Sequence, residues 1–217
     1  WSSRTEAAAQ AALGKALETA TAPVVNISQP AGSTGKSFKT AIERSNAAIT
    51  EFDAVAAQFG GAVGEKARYF AAVQRLNVDR PVALGELETF SKAGGEIGKM
   101  AKFALAQART DDGRPDEAIA LYQELLKEAD PIVSKDTINL AVANLYEKQG
   151  KKQEAVDVLF NMVKAASEAK DLDGKPAIMS PSAQAAKDKL KELDPEKAKE
   201  IPEPAIETPG GPAKVNM

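Results

Sequence analysis

The stretch that decides the fold is KFALAQARTDDGRPDEAIALYQELL, residues 102 to 126. Two runs of strong helix formers flank a turn built from Asp111-Asp112-Gly113-Arg114. Pro115 then opens the second run, where its missing N–H costs nothing, and Asp116 and Glu117 suit the positive end of a helix dipole. The first helix carries a central alanine, Ala106. The second carries Ala118 near its start and Tyr122 four positions later, one turn on along the same face.

The pattern occurs twice more, in RYFAAVQRLNVDRPVALGELETF (68 to 90) and NLAVANLYEKQGKKQEAVDVLFNMV (139 to 163). The first-helix alanines are Ala71, Ala106 and Ala143, and the second-helix alanines are Ala83, Ala118 and Ala155. Both series are spaced 35 and then 37 residues apart. The large residues that follow the second alanine are Leu87, Tyr122 and Leu159. Helix axes pack roughly 8–10 Å apart depending on the side chains at the contact, so an alanine at the crossing lets two antiparallel helices approach. The bulky residue one turn later fills the space beside it. One such hairpin cannot bury its own apolar face, so hairpins stack into a solenoid.

The rest of the chain reads as helix broken by short turns, which makes the fold class all-α. Residues 4 to 20 are rich in helix formers, and Pro23, Pro30, Gly32 and Gly35 break the chain over 21 to 36. A one-sided apolar stripe predicts a helix from Ser37 to Phe59, capped by Ser33 or Ser37. Further helices are expected over 62 to 76, from Asp79-Arg80-Pro81 to Gly94-Gly95, over 96 to 110, from Pro115 to about Ala129, over 133 to 148 and 152 to 169, and from Ser182 to Leu193. Residues 194 to 217 are Pro-rich and polar and read as an extended tail. Val24 to Ile27 is the one strand-like run.

Composition narrows the chemistry. Charged residues make up 27% of the chain, the net charge is −3, and the sequence pI is about 5.3, which argues against non-specific nucleic-acid binding. There is no cysteine, so disulfides, thiolate metal sites and cysteine nucleophiles are excluded. There is no histidine either, which removes the commonest general base and transition-metal ligand. The reading is of a protein with no catalytic residues, no metal and no cofactor. No apolar run approaches the ~20 residues needed to cross a bilayer.

Four local patterns suggest chemistry and each has a plainer reading. Gly35-Lys36-Ser37 resembles the end of a phosphate loop, but Pro30 stands where the first glycine is needed and has no N–H to offer. A linker is the reading adopted. Asp111, Asp112, Asp116 and Glu117 cluster at a turn and read as a solvated helix start rather than a cation site. Asp171-Leu172-Asp173-Gly174 lacks the later ligands of a calcium loop and reads as a turn. Asn26-Ile27-Ser28 fits a glycosylation sequon by chance. Most of the aromatics Tyr69, Phe70, Phe103, Tyr122, Tyr146 and Phe160 sit at repeat-packing positions, so core is the default reading.

The repeats resemble the tetratricopeptide repeat family over roughly residues 37 to 170. Leu105-Ala106, Gly113, Ala118, Tyr122 and Pro131 carry the likeness in one unit, and Ala143, Tyr146, Gly150, Ala155 and Leu159 in the next. The units are slightly longer than the family's ~34 residues, they lack its first-helix Trp, and the unit at 65 to 95 lacks the turn glycine. The resemblance implies a right-handed α-solenoid whose concave face is lined by first helices. In that register Arg68, Ala72, Arg75, Phe103, Gln107, Thr110, Leu140, Asn144 and Glu147 face a protein partner.

The layout adds a narrower likeness. An Ala-rich first helix, a linker, a degenerate pair and two good repeats look like the bacterial ancillary SecYEG translocon subunit family. That family carries a membrane anchor just before the segment matching Trp1 to Ala20. The resemblance implies three regions: 1–36, a membrane-proximal helix and linker; 37–170, the repeats; 171–217, a C-terminal helix and tail. It also implies a scaffold on the periplasmic side of the inner membrane, anchored by a segment outside this chain, whose partners are membrane-complex subunits. The alternatives are a structural subunit of a large membrane-associated complex, a cytoplasmic location and, last, an enzyme.

Overall fold

A computed structural model of the chain describes residues 2–25, 35–130 and 132–202. Among them are ten α-helices: α1 (Ser2–Thr21), α2 (Ala41–Gln58), α3 (Gly61–Arg75), α4 (Arg80–Ser91), α5 (Gly95–Asp111), α6 (Pro115–Leu126), α7 (Lys135–Lys148), α8 (Lys152–Glu168), α9 (Pro181–Leu193) and α10 (Pro195–Lys199). The protein is all-α, with successive helices packed against each other as in a solenoid. The chain divides into two compact units, residues 1–132 and 133–217.

In the first unit each of α1 to α5 packs on the next in sequence, and α1 also meets α3, as α3 meets α5. That second contact makes the odd-numbered helices a shared layer. Ala71, Ala83, Ala106 and Ala118 are wholly buried, and so is Leu87, while Tyr122 is nearly so. A single methyl group reaches zero exposure on a helix only when neighbouring segments press directly on it. The repeat alanines therefore sit where the helices come close, as the spacing requires.

A further copy of the pattern lies upstream. Ala48 and Phe52 on α2 are wholly buried, and they precede Ala83 and Leu87 by 35 residues. The helix before them, α1, contributes Ala9, Leu13, Ala16 and Ala20 to the same core as Phe52, Val55, Ala67 and Ala71. Thus α1 and α2 form a hairpin with a long connection. The described ends of that connection are joined: the Val25 N–H donates to the Phe38 carbonyl at 2.9 Å, and the Phe38 N–H donates to the Pro23 carbonyl at 3.1 Å. Val24 of the strand-like run and Phe38 form an isolated parallel bridge. The rest of that run, Asn26 and Ile27, and the whole sequon lie outside the described residues.

Helix starts follow side-chain caps. α2 begins at Ala41 rather than Ser37, because Thr40 is the cap: its Oγ1 accepts from the Glu43 N–H at 3.1 Å, and the Glu43 carboxylate accepts from the Lys39 N–H at 3.1 Å. Ser33 lies outside the described residues. Asp79, Ser134 and Ser180 cap α4, α7 and α9 in the same way. Helix stops at the two clearest repeats are equivalent. Gly113 (φ 69°) and Gly150 (φ 73°) take the left-handed conformation. The next N–H in each case, from Arg114 and from Lys151, reaches back to the carbonyls of Arg109 and Tyr146 at 2.9 Å.

The second unit holds α7 to α10. Ala143, Val156, Leu159 and Val163 pack with Ala183, Ala186 and Leu190 in one core. α9 rests on both α7 and α8, the place a further first helix takes in a stack. Residues 194 to 202, expected as the start of an extended tail, instead hold a short helix and a core residue. Asp194 caps α10, its carboxylate accepting from the Lys197 N–H at 3.0 Å, and Ile201 is buried in the core. Asp194-Pro195-Glu196 is a cap, a first-turn proline and an acidic first turn, the same starting signal as elsewhere in the chain. Residues 203–217 lie outside the described residues.

Two helical glycines give a paired test. A Cβ on Gly64 of α3 would lie 2.1 Å from the Phe59 carbonyl oxygen, whereas one on Gly98 of α5 would meet nothing closer than 3.5 Å. Gly64→Ala should therefore destabilise the protein by about 1–3 kcal/mol, as overpacking does. Gly98→Ala should be neutral or stabilise by up to about 1 kcal/mol from helix propensity. Urea midpoints of the two variants, measured together, check this.

Candidate partner-binding surface

The residues expected on the first-helix face fall on α3, α5 and α7, and the structure treats them differently. Arg68 on α3 is exposed and makes no ion pair among the described residues. Arg75, two turns on, is engaged: its Nη2 donates to Asp53 Oδ2 at 2.6 Å, and its Nη1 to both carboxylate oxygens of Glu86 at 3.1 Å. Burial pulls the Arg75 guanidinium toward losing its proton, but the bonds to Asp53 and Glu86 outweigh this and hold it above its ordinary value. Both arginines line one surface cavity of about 310 Å³, with Asp53, Glu86, Thr89 and Phe90 around it. Arg68 is the cation of that cavity left to meet an incoming group.

On α5, Gln107 is exposed and Phe103 and Thr110 are half-buried. The Phe103 ring stands edge-on to Tyr122, centroids 5.9 Å apart, and the Thr110 hydroxyl donates to the Ala106 carbonyl at 3.0 Å. Ala72, placed on this face by the register, is wholly buried. In the second unit Leu140 packs against the core, Asn144 is half-buried, and Glu147 pairs with Lys189 of α9. Arg68, Arg75, Phe103, Gln107 and Thr110 therefore belong to adjacent helices of one layer. Leu140 and Glu147, on α7, are instead engaged by their own unit.

The residues expected to pack the last repeat differ in burial. Ala143, Ala155 and Leu159 are wholly buried in the second unit. Tyr146 is half-buried with the Lys151 ammonium 5.8 Å from its ring centroid. Tyr69 donates to the Met100 carbonyl at 3.3 Å across the α3–α5 seam and packs against Phe70 and Phe90.

The side patterns resolve into structural roles. Lys36 of the Gly-Lys-Ser stretch donates to Thr19 Oγ1 and to Glu51 Oε1, each at 2.6 Å. Partial burial pushes the Glu51 carboxyl up, but the bonds from Lys36 and Thr19 hold it below its usual range. The lysine thus ties the end of the linker to α1 and α2. Asp112 pairs with Arg80 at 2.6 Å, and Glu117 with Arg109 at 3.2 Å and with Arg114. Among the described residues no three acidic side chains converge as metal ligands do. Asp171 Oδ1 accepts from the N–H groups of Asp173 and Lys175, both at 2.9 Å, which closes a turn. No described helix is long and apolar enough to cross a membrane.

Sequence reasoning passed over Arg109. It is a buried cation that bridges Glu88 of α4 and Glu117 of α6 from the helix between them. Its neighbours in sequence are alanine and threonine, and nothing local marks it. The α1–α2 hairpin was also passed over, although the 35-residue offset from Ala83 to Ala48 was there to find.

Comparison with known proteins bears on the central repeat. A tetratricopeptide repeat family model matches residues 103–135, which cover the second half of α5, all of α6 and the connection up to the first residue of α7. No curated protein matches the chain, and no solved structure does. The match covers one repeat of the chain, and with the stacked helical hairpins it supports a tetratricopeptide-like protein; repeats of that kind generally mediate the binding of protein partners.

Buried tyrosine supplies a pH test of the α3–α5 seam. Burial raises the Tyr69 phenol from 10.0 to about 12 and raises Tyr122 as well. Below pH 10 both folded and unfolded chains keep the proton and neither group affects stability. For Tyr69, between pH 10 and about 12 the unfolded chain ionises first, so stability falls as pH rises, by at most about 1.4 kcal/mol per unit. Tyr69→Phe should flatten that decline, read as the difference in urea midpoints between variant and parent across the window. Absorbance at the phenolate band should show the latest-ionising tyrosine missing.

Proposed function

We propose that this chain is a non-catalytic protein–protein interaction scaffold of the bacterial cell envelope, with the first-helix layer of its first unit as the docking face. The observation that carries the docking role is the contrast along that layer. Tyr69, Ala72 and Ala106 are buried in the stack, while Gln107 stands exposed on α5 and Arg68 stands exposed in the cavity edged by Thr89 and Phe90. A partner finds there a guanidinium able to hold a carboxylate in two parallel bonds, an amide, and half-buried aromatic surface. These are the ingredients of a modest, polar-rimmed interface.

The envelope location is proposed from the likeness of layout to the ancillary SecYEG translocon subunit family. In this reading a membrane anchor outside the chain holds it on the periplasmic side of the inner membrane, and its partners are subunits of membrane complexes. The native protein should sediment with inner membranes and become open to added protease once the outer membrane is permeabilised.

The docking face is tested by position. A photoreactive residue at Gln107 should give discrete adducts with partner proteins in the native membrane fraction, and Arg68→Glu should reduce them several-fold. The same residue at Gln123, exposed on α6, should give none. Equal adducts at both positions would indicate a subunit covered on all sides and would overturn the scaffold reading.

A further inference from the structure

The cavity beside Arg68 is divided by charge. Asp53 and Glu86 stand there against Arg68 and Arg75, so the charges around it cancel. They are not equally occupied. The Arg75 Nη1 donates to both oxygens of Glu86, at 3.1 Å each, and its Nη2 holds Asp53 Oδ2 at 2.6 Å. Asp53 thus keeps its other oxygen, Oδ1, outside that bond, on a side chain 49% exposed. Arg68 is exposed and keeps its whole guanidinium outside any ion pair among the described residues. One open cation and one open carboxylate oxygen therefore edge a space of about 310 Å³.

The two are set apart along α3. Arg68 and Arg75 are seven residues apart, two turns along one face, or about 10 Å along the axis. Asp53 of α2 belongs to the Arg75 end, because it is bonded to that side chain. Thr89 and Phe90 line the cavity from α4, and the Phe90 ring is set edge-on against Tyr69, centroids 6.4 Å apart. On the reading that the first-helix layer is the docking face, we propose that the partner segment brings two side chains of opposite charge, one to two turns apart: an Asp or Glu for Arg68, and a Lys or Arg for Asp53 Oδ1. The partner's carboxylate meets the planar fork of Arg68. Its basic side chain reaches Asp53 with its methylenes against the half-buried Phe90 ring.

Charge rejects the simpler partners. A segment with two acidic groups at these places turns its second carboxylate toward Asp53 and Glu86. One with two basic groups turns a cation toward Arg68. Like charges brought together at an interface reject a partner even when its shape fits. A phosphate at Arg68 carries about two negative charges where the open guanidinium balances one. The mixed pair leaves the cavity neutral, as it is without a partner. All of these groups are partly exposed, so each contact is weak and salt-sensitive, and what the pair supplies is selectivity.

Neutral substitutions give the test a sign. With the photoreactive residue at Gln107 in the native membrane fraction, Arg68→Gln and Asp53→Asn should each lower partner adducts several-fold. In Asp53→Asn, Arg75 remains held by Glu86, while the cavity gains one unit of positive charge, from which a purely acidic partner would profit. Adducts that fall in Arg68→Gln but rise or stay level in Asp53→Asn would overturn the mixed pair in favour of such a partner. Adducts level in both variants would mean that the cavity is not used, and the docking face would stand without it. No adducts in the parent would sink the docking face and this pairing together. A second measurement needs no substitution. The isotope-enriched full chain is titrated with three alanine-based helical peptides, which carry Glu and Lys, two Glu, or two Lys at positions two turns apart. The mixed peptide should shift the Thr89 and Phe90 amide signals at several-fold lower concentration than the other two. Raising the salt to about 0.5 M, where the Debye length is only a few Å, should reverse the shift. Equal shifts from the two-Glu peptide, or none from the mixed one, would also overturn the proposal.

Discussion

Everything in this structure depends on how closely two helices can approach at a small residue. Ala48, Ala83, Ala118 and Ala155 are wholly buried on the second helix of successive hairpins, and Phe52, Leu87, Tyr122 and Leu159 fill the volume one turn further on. The close approach is what allows short helices, several only three to four turns long, to bury enough apolar surface to hold together. It also sets direction, because a bulky group can be accommodated on only one side of each crossing. The partners a layer of first helices meets are then determined before any polar contact forms.

Polar contacts refine that arrangement. Arg109 reaches Glu88 on the helix before it and Glu117 on the helix after it. Arg80 donates to Asp112 at 2.6 Å and to the Ala108 carbonyl at 2.8 Å, satisfying an acceptor near the end of α5. Arg75 reaches Asp53 on α2 and Glu86 on α4 in the same manner. Most of the carboxylates in these pairs remain a quarter to a half exposed, so each pair contributes little to stability. Arg109 and Arg75 each touch both the helix before and the helix after their own, which favours one register of the stack over its alternatives.

The sequence made the fold legible because repetition amplifies a weak local signal. A lone alanine says nothing, but alanines at matching offsets in three hairpins, each followed by a large residue, describe a packing geometry. The upstream hairpin escaped notice because a proline- and glycine-rich connection displaces its first helix from the common spacing, although Ala48 and Phe52 keep theirs. The α10 helix escaped because prolines scattered through residues 195 to 212 mask the one that opens a helix. Candidate surface residues were harder to judge. Helical phase placed Arg68 and Gln107 on an exposed face, but it carried no sign that Arg75 would be held by two carboxylates or Glu147 by Lys189. Those outcomes depend on long side chains from other helices, whose reach periodicity does not describe. Arg109 shows the same limit in reverse, since a charged residue in a core position is legible only once its partners are known.

The joined base of the α1–α2 connection has a practical corollary. Because Val24 and Phe38 are bridged and Lys36 is tied to Thr19 and Glu51, the backbone departs from and returns to a single spot on the hairpin. The entropy of closing such an excursion grows only slowly with its length. Evolution or an engineer can thus swap the intervening residues for a reporter module or a grafted recognition peptide while leaving the helical scaffold's own geometry alone, and that spot is the molecule's natural splice point.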